Sequence, residues 1–189
     1  YLSDDTKVNL SKLSLLGSHQ LINAGLAIHL ARNILKEKFV IEKTEKALMN
    51  CEWPGRLQQI KSGLLNKKIK KYKNIYLDGF HNIDGMKALI KSLPKNRKIL
   101  ICSFLKNKKY IQMLSNLSNH FNKIIVVKMN EENSITEDLL PKYLKLYFAN
   151  SLSDSFKIIN KLSSNQTSIY FGGSLYFIGE VIKLNRLKY

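Results

Sequence analysis

The sequence predicts an α/β protein built on a Rossmann-like, mostly parallel sheet with helices on both faces. From about residue 75 onward, short segments rich in strand-forming residues alternate with longer segments of helical period, which is typical of βαβ units. Residues 99–101 and 124–127 are continuous apolar runs, as expected for strands that helices cover on both sides. With 189 residues, 44% of them hydrophobic, the chain can hold one full domain and part of another.

The amino-terminal quarter is predicted to be helical. Apolar residues in segment 19–36 recur at the spacing of a helix with a wide buried face, and Ser18 is a candidate N-cap. These apolar residues are Leu21, Ile22, Leu26, Ile28, Leu30, Ile34 and Leu35. A second helix is predicted at residues 42–50, and the domain boundary is placed near Cys51. Because an isolated segment cannot cover so wide an apolar face, residues 1–50 are expected to look incomplete.

After this boundary, the periodicity predicts strands and helices in alternation. The strands are expected at residues 75–78, 98–104, 123–129, 146–149 and 168–171. The helices are expected at residues 84–93, 107–119, 137–145, 152–163 and 174–186. In open α/β sheets ligands bind at the carboxyl ends of the strands, so the residues that directly follow each strand are the first candidates for a site.

Two short motifs enclose a polar, lysine-rich loop. Trp-Pro-Gly-Arg occupies residues 53–56, and its Arg56 offers a planar fork suited to phosphate. Leu-Asp-Gly-Phe-His-Asn occupies residues 77–82, where Asp78 ends a predicted strand and can accept hydrogen bonds from a ribose. In the same motif His81 can donate to a phosphate or a carboxylate.

Each motif has a plainer interpretation. Residues 77–82 can be a turn followed by a capping acid, since Asn82 or Asp84 can cap the helix that begins near Gly85. Near the end of the chain, Gly-Gly-Ser at residues 172–174 precedes a predicted helix. Backbone N–H groups at such a position can hold an anion, and Ser174 can also simply cap the helix.

The net charge of +17 raises the question of nucleic-acid binding. Lys far outnumbers Arg, the charge is scattered, and no aromatic residues are interleaved with it as a stacking platform requires. This composition is typical of an AT-rich genome, so no nucleic-acid partner is predicted. The densest patch is expected to be a solvated loop whose field attracts polyanionic substrates. It comprises Lys67, Lys68, Lys70, Lys71 and Lys73.

Membrane and redox chemistry are also not indicated. No apolar run approaches the roughly 18–20 residues that span a bilayer, and no signal-peptide pattern opens the chain, so a cytoplasmic location without a membrane partner is expected. Cys51 and Cys102 are too few for a disulfide framework or a metal cluster, and Cys102 is expected to be a reduced core residue.

Four segments, in order, resemble folylpolyglutamate synthase/dihydrofolate synthase, a member of the Mur ligase superfamily. They are residues 17–24 (Gly-Ser-His-Gln-Leu-Ile-Asn-Ala), 53–58 (Trp-Pro-Gly-Arg-Leu-Gln), 76–82 and 172–180 (Gly-Gly-Ser-Leu-Tyr-Phe-Ile-Gly-Glu). The resemblance spans nearly the whole chain but matches only the C-terminal part of the enzyme. It implies that residues 1–50 are a helical remnant of the central ATP-binding domain and that residues 51–189 are the C-terminal, glutamate ligase domain.

The resemblance also implies roles for individual residues. Asn23 corresponds to an asparagine that contacts the adenine of ATP, although it can equally be a polar helix residue that faces solvent. Arg56 corresponds to the phosphate-binding arginine, and Asp78 to the aspartate that holds the ribose. His81 corresponds to a catalytic histidine that faces the phosphates or the incoming glutamate, and Ser174 lies close to the glutamate site.

The implied activity is that of an ATP-dependent acid–amino-acid ligase. ATP phosphorylates the acceptor carboxylate of dihydropteroate or a folate, and the amine of L-glutamate then displaces phosphate. The family's P-loop, its Mg²⁺ ligands and its modified lysine are absent from this sequence, and the missing N-terminal part is expected to supply them. Because the chain begins at Tyr1 without Met, it is expected to be a piece of a longer chain or the product of a gene that has lost its start. This chain alone is expected to be inactive.

Three alternatives stay open at the level of sequence. The chain can be a catalytically silent remnant, or a module that acts in trans with the missing N-terminal domain. It can also belong to a peptidoglycan-precursor ligase of the same superfamily, since a fold does not determine a substrate. His19-Gln20 and the ending at residues 172–180 favour the folate branch, and a monomer is expected. The motif departs from the family at Phe80, where a small Ala is usual, so the turn must accommodate a ring.

Overall fold

The computed structural model describes residues 2–3, 6–10, 13–69, 72, 74–162 and 167–186. Eight strands and seven α-helices follow one another in this part of the chain. The strands are β1 (Leu2–Ser3), β2 (Thr6–Lys7), β3 (Gln58–Gln59), β4 (Asn74–Leu77), β5 (Lys98–Cys102), β6 (Lys123–Val127), β7 (Leu146–Ala149) and β8 (Ser168–Gly172). The helices are α1 (His19–Leu35), α2 (Ile41–Met49), α3 (Leu64–Lys68), α4 (Ile83–Lys91), α5 (Tyr110–Ser118), α6 (Leu152–Lys161) and α7 (Leu175–Arg186). Two 3₁₀ turns lie at Lys36–Lys38 and Glu137–Leu139.

Six strands form one sheet in the order β3-β4-β8-β5-β6-β7. The five strands from β4 to β7 in this order are parallel, and the two-residue strand β3 pairs with β4 in the antiparallel sense. The predicted mostly parallel, Rossmann-like sheet is therefore confirmed. Because β8 inserts between β4 and β5, the carboxyl ends of the first and last parallel strands in the chain lie side by side. A separate two-stranded sheet pairs β1 with β2.

The sheet is covered on both faces. Successive residues of a strand point to opposite sides of the sheet, so each parallel strand contributes side chains to two core clusters. In β5, Ile99 and Ile101 belong to one core cluster, together with side chains of α3, α6 and α7. Leu100 and Cys102 belong to the other, together with side chains of α4 and α5. Every residue of β5 is buried, which explains the continuous apolar run in the sequence.

Most predicted elements agree with the structure to within three residues at each end. Residue 163, the last of the helix predicted at 152–163, lies outside the described residues. The helix predicted at 137–145 is wrong, since only Glu137–Leu139 form a 3₁₀ turn and Leu140 is extended. Pro141 explains the difference, because a proline disfavours the helical conformation of the residue before it. Two lysines of the predicted solvated loop, Lys67 and Lys68, instead form the last turn of the short helix α3. Lys70, Lys71 and Lys73 are outside the described part.

Helix α1 buries little of its apolar surface. Only Gln20, Ala24 and Ile28 are buried. Six larger apolar side chains are exposed, namely Leu21, Ile22, Leu26, Leu30, Ile34 and Leu35. The predicted capping bond of Ser18 is also wrong: the residue precedes the helix but is itself in the helical conformation, and its side chain makes no cap hydrogen bond. Within the described residues, α1 thus presents an uncovered apolar face.

Candidate functional site

The site begins at the carboxyl end of β4, where the chain leaves the sheet in the segment 78–82, here called the aspartate loop. Asp78 is held in line with the sheet by its own N–H, which donates to the carbonyl of Phe171 in β8 (2.9 Å). Its side chain is only 7% exposed. One carboxylate oxygen, Oδ1, accepts from the N–H of Phe80 (2.9 Å), and Oδ2 accepts from the N–H of Leu57 (3.0 Å). Asp78 therefore joins two loops that lie far apart in sequence.

Burial raises the pKa of Asp78 above its ordinary range, because desolvation disfavours the carboxylate anion. The N–H groups of Phe80 and Leu57 favour the anion and act in the opposite direction. The charges of Arg56 and His19 also lower the pKa, with smaller effect. The effect of burial on the pKa of Asp78 thus outweighs that of the groups that favour the anion.

The segment 53–57, here called the arginine loop, turns sharply just before β3. Gly55 has φ of 73°, and Leu57 has φ of 43°, which is uncommon for a residue other than glycine. The carbonyl of Gly55 accepts from the N–H of Gly79 (2.7 Å), so a second hydrogen bond ties the loop to the aspartate loop. A Cβ on Gly55 would lie 2.8 Å from Cγ2 of Ile178 in α7, so the turn requires the absence of a side chain there.

A cavity of about 320 Å³ opens beside Arg56, between α1, the end of α2 and the arginine loop. Its walls are mostly apolar, with three polar or charged side chains among them. They are lined by Leu13, Leu15, Gln20, Asn23, Ala24, Ala27, Leu48, Cys51, Trp53 and Arg56. Arg56 also lines a second, adjoining cavity that extends along the arginine loop. Apolar walls with a few convergent polar groups are the usual construction of a small-molecule site.

The structure brings two of the predicted site residues into this cavity and leaves three outside its lining. Asn23 and Arg56 both line it, and the side-chain amide of Asn23 donates to Oε1 of Gln20 (3.1 Å). Asp78, His81 and Ser174 are not among its lining residues. They lie at the carboxyl ends of the adjacent strands β4 and β8, so the sheet places them at the same edge as the arginine loop.

His81 is half-buried, with Nδ1 3.1 Å from the carbonyl oxygen of Gly79. Ser174 is 3% exposed and immediately precedes α7. Asn82 caps α4, since its side chain accepts from the N–H of Gly85 (2.8 Å). The capping function therefore belongs to Asn82, and Asp78 has other contacts.

The ring of Phe80 is accommodated beneath the sheet edge and does not fill the site. It is 1% exposed and packs against Phe104, with ring centroids 6.2 Å apart at an angle of 59°. The space exists because Gly172 has no side chain: a Cβ there would lie 2.3 Å from Cε1 of Phe80. The larger residue in this motif is therefore matched by a glycine on the neighbouring strand.

Sequence reasoning gave no site role to Gln20, Cys51 and Trp53, which line the cavity. Two of them lie inside motifs that were recognised, and Trp53 is 62% exposed, which is unusual for a tryptophan. The signal available in the sequence was a tryptophan three residues before Arg56. No metal site accompanies them, since the described residues contain no group of three His, Cys, Asp or Glu side chains placed to hold an ion. None of the described helices has the length and apolar content to span a bilayer.

No family model matches the chain. It is similar to the dihydrofolate synthase/folylpolyglutamate synthase of Bacillus subtilis (strain 168), with 28% identity over 187 residues, which cover 94% of this chain and 41% of that protein. It is also similar to the folylpolyglutamate synthase of Lacticaseibacillus casei, with 27% identity over 133 residues, covering 67% of this chain and 29% of that protein. The chain thus spans about two fifths or less of the length of these relatives.

Solved structures share the fold. The folylpolyglutamate synthase of Mycobacterium tuberculosis complexed with ADP superposes with a TM-score of 0.78 at 20% identity, covering 93% of this chain and 42% of that one. The bifunctional folylpolyglutamate synthase/dihydrofolate synthase of Yersinia pestis, complexed with AMPPNP and Mn ion, gives 0.77 at 14% identity, covering 98% and 43%. In sequence the chain is similar to the folylpolyglutamate synthase/dihydrofolate synthases, and it shares the fold of their solved structures.

Proposed function

We propose that this chain is the C-terminal part of an ATP-dependent folylpolyglutamate synthase/dihydrofolate synthase, a ligase that adds L-glutamate to dihydropteroate or folate through an acyl phosphate. The observation that supports it most is the meeting of Asn23 and Arg56, from two separate segments, in one apolar-walled cavity. Residues 1–50 are then the end of the central ATP-binding domain. Residues 51–189 are the C-terminal domain.

The residues that line the cavity suit a nucleotide chemically. The side-chain amide of Asn23 can donate and accept at a purine edge, and the apolar walls formed by Ala24, Ala27 and Leu48 can take a flat ring. Arg56 is the charged group at the cavity's border, where its planar fork can bind the phosphates and neutralise charge on the transferred phosphoryl group. These two residues therefore set the orientation of ATP along the cavity.

The remaining site residues are proposed to serve the nucleotide's ribose and the acceptor side of the reaction. A proton on Nδ1 of His81, donated to the carbonyl of Gly79, would present Nε2 as an acceptor for the ammonium group of glutamate. Ser174 lies between β8 and α7, and it is proposed to bind the glutamate carboxylate. The resemblance implies that Asp78 contacts the ribose.

The parts of the chemistry that this chain lacks are proposed to come from polypeptide equivalent to the rest of the relatives' length. That polypeptide would supply the P-loop and the ligands of Mg²⁺, for which the described residues offer no cluster. It would also cover the exposed apolar face of α1. The isolated chain is then inactive. The complete enzyme is proposed to be a cytoplasmic monomer with no nucleic-acid or membrane partner.

The test is a glutamate-dependent ATPase assay with dihydropteroate or tetrahydrofolate. It compares the chain alone with the chain combined with polypeptide equivalent to the remaining length of the Bacillus subtilis relative. Activity is expected only in the combined sample, and Arg56→Ala should abolish it, whereas Asp154→Asn, at the start of α6, should not. No activity in any combination would favour a silent remnant. Activity with a peptidoglycan precursor in place of the folates would favour that branch of the superfamily.

A further inference from the structure

We propose that Asp78 is a positioning residue, whose carboxylate holds the arginine loop against the end of β4 and thereby aims Arg56 at the phosphates of the bound nucleotide. This inference rests on the nucleotide site of the proposed function and gives Asp78 a positioning role in place of the ribose contact that the resemblance implies. It follows from which atoms its two oxygens engage, from the backbone conformation of the loop they hold, and from the burial of the carboxylate.

The two oxygens of Asp78 have different partners. Oδ1 accepts from the N–H of Phe80, two residues onward, and so shapes the turn in which Asp78 itself lies. Oδ2 accepts from the N–H of Leu57, 21 residues away in the sequence. The second bond is not needed for the turn of the aspartate loop. Its effect is to tie a different loop to the sheet.

Arg56 is fixed from both sides by this arrangement. On its amino-terminal side, the carbonyl of Gly55 accepts from the N–H of Gly79 (2.7 Å). On its carboxyl-terminal side, the N–H of Leu57 donates to Asp78 (3.0 Å). Both anchors belong to the aspartate loop, so the backbone on either side of Arg56 is attached directly to the end of β4.

The conformation of the loop shows why an anchor is needed. Leu57 has a positive φ of 43°, which costs free energy for a residue with a side chain and persists only where the surroundings impose it. The leucine side chain is 6% exposed and packs in the core cluster that also contains Phe80. Core packing of Leu57 and its bond to Asp78 therefore together hold the strained residue that directly follows Arg56.

The burial of Asp78 argues that this is its main contact. At 7% exposure, with both oxygens engaged by backbone N–H groups, the carboxylate presents little surface to a ligand. It is also absent from the lining of the cavity that contains Asn23 and Arg56. A ligand of the ribose would be expected to face that cavity.

The first experiment measures amide hydrogen exchange in the chain without nucleotide. In Asp78→Asn the side chain keeps one acceptor oxygen and gains a donor NH₂ group, so it cannot serve both N–H groups. Exchange at Leu57 should accelerate by about 10- to 100-fold, the equivalent of one charge-assisted hydrogen bond, while Ile101 in β5 stays protected. Asp154→Asn, which removes the same charge, is the control and should leave Leu57 unchanged.

The second experiment asks whether Asp78 acts through Arg56, using nucleotide affinity in the combined enzyme. Arg56→Ala should weaken ATP binding by about 10- to 100-fold in the wild-type background. In the Asp78→Asn background it should weaken binding by no more than about twofold, because a misdirected arginine has little left to lose. A residue that only stabilised the fold would not produce this coupling.

The third arm separates positioning from a ribose contact. We expect 2′-deoxy-ATP and 3′-deoxy-ATP to be discriminated from ATP equally, within about twofold, by the wild type and by Asp78→Asn. Additive effects of Arg56→Ala and Asp78→Asn, or deoxy-nucleotide discrimination that disappears in Asp78→Asn, would overturn the proposal. So would unchanged exchange at Leu57. If the wild type does not bind ATP at all, the nucleotide site itself is refuted, and the exchange data still show independently whether Asp78 holds the loop.

Discussion

Asp78 carries a buried charge, and its energetics can be tested apart from any ligand. Its pKa is raised by burial, so the folded chain retains this proton at pH values where the unfolded chain, with an Asp pKa of about 3.9, has released it. The contribution of Asp78 to the free energy of unfolding is therefore fully present below the unfolded pKa and is lost as pH rises through the folded pKa. Above the folded pKa, ionisation of the buried carboxyl lowers the free energy of unfolding.

We predict that the free energy of unfolding of the wild type, relative to Asp78→Asn, falls as pH is raised from about 4 through the folded pKa. Urea unfolding across this range measures it. Asp154 is the matched control, because hydrogen bonds from Lys157 and Ser151 lower its pKa. Its contribution to the free energy of unfolding therefore grows as pH rises, opposite to that of Asp78. A wild-type advantage over Asp78→Asn that grew with pH would contradict the burial argument.

The packing of Phe80 over Gly172 can be tested by substituting each residue. Phe80→Ala should cost about 3–5 kcal/mol, because it leaves a cavity where a buried ring was. Gly172→Ala should cost about 1–3 kcal/mol, since its Cβ would lie 2.3 Å from the ring. In the Phe80→Ala background that second cost should shrink, although the carbonyl of Asp78, 3.1 Å away, retains part of it.

A double-mutant cycle of urea unfolding measures the interaction of these two positions. Additive effects of Phe80→Ala and Gly172→Ala, within about 0.5 kcal/mol, would show that the ring does not occupy the space over the glycine.

The helices of this chain differ in whether the residue before them makes a capping hydrogen bond, and the difference can be measured as a change in stability. Asn82 accepts from the N–H of Gly85 at the start of α4, whereas Ser18 makes no cap bond at the start of α1. Asn82→Ala should therefore cost about 0.5–2 kcal/mol of unfolding free energy. Ser18→Ala should change it by less than about 0.5 kcal/mol. Equal costs for the two substitutions would show that sequence position and not the hydrogen bond determines the effect.

The whole molecule is organised as a closed two-sided core and an open amino-terminal helix. Ile28 is 1% exposed, whereas Ile34 of the same helix is 77% exposed. Ile28→Ala should cost about 2–5 kcal/mol, and Ile34→Ala less than about 0.5 kcal/mol, in unfolding of the chain alone. The same Ile34→Ala should weaken binding to the polypeptide that the proposed function places on α1.

Titration of the chain with that polypeptide distinguishes the two roles of α1. Unchanged binding of Ile34→Ala would show that the exposed face is not the contact. A large loss of stability in the isolated Ile34→Ala chain would show that the face is already covered.

Elements that have a local cause could be predicted from the sequence. Hydrophobic period identified the five parallel strands and most helices of the sheet domain. Four motifs in order pointed to the family of the similar proteins and to the candidate residues around Asp78. The helix predicted at residues 137–145 was wrong, because Pro141 disfavours the helical conformation of the residue before it. Two-residue β3 has no periodicity to detect, because it exists only through its pairing with β4.

Which residues come into contact depends on the tertiary structure. The insertion of β8 between β4 and β5 brings Gly172 against Phe80, and long-range hydrogen bonds bring Leu57 to Asp78. Both contacts depend on pairing between segments far apart in the chain. A local pattern of side chains does not predict such pairing. The chemistry available to a residue can be read from its type, whereas the atoms that it engages are settled by packing.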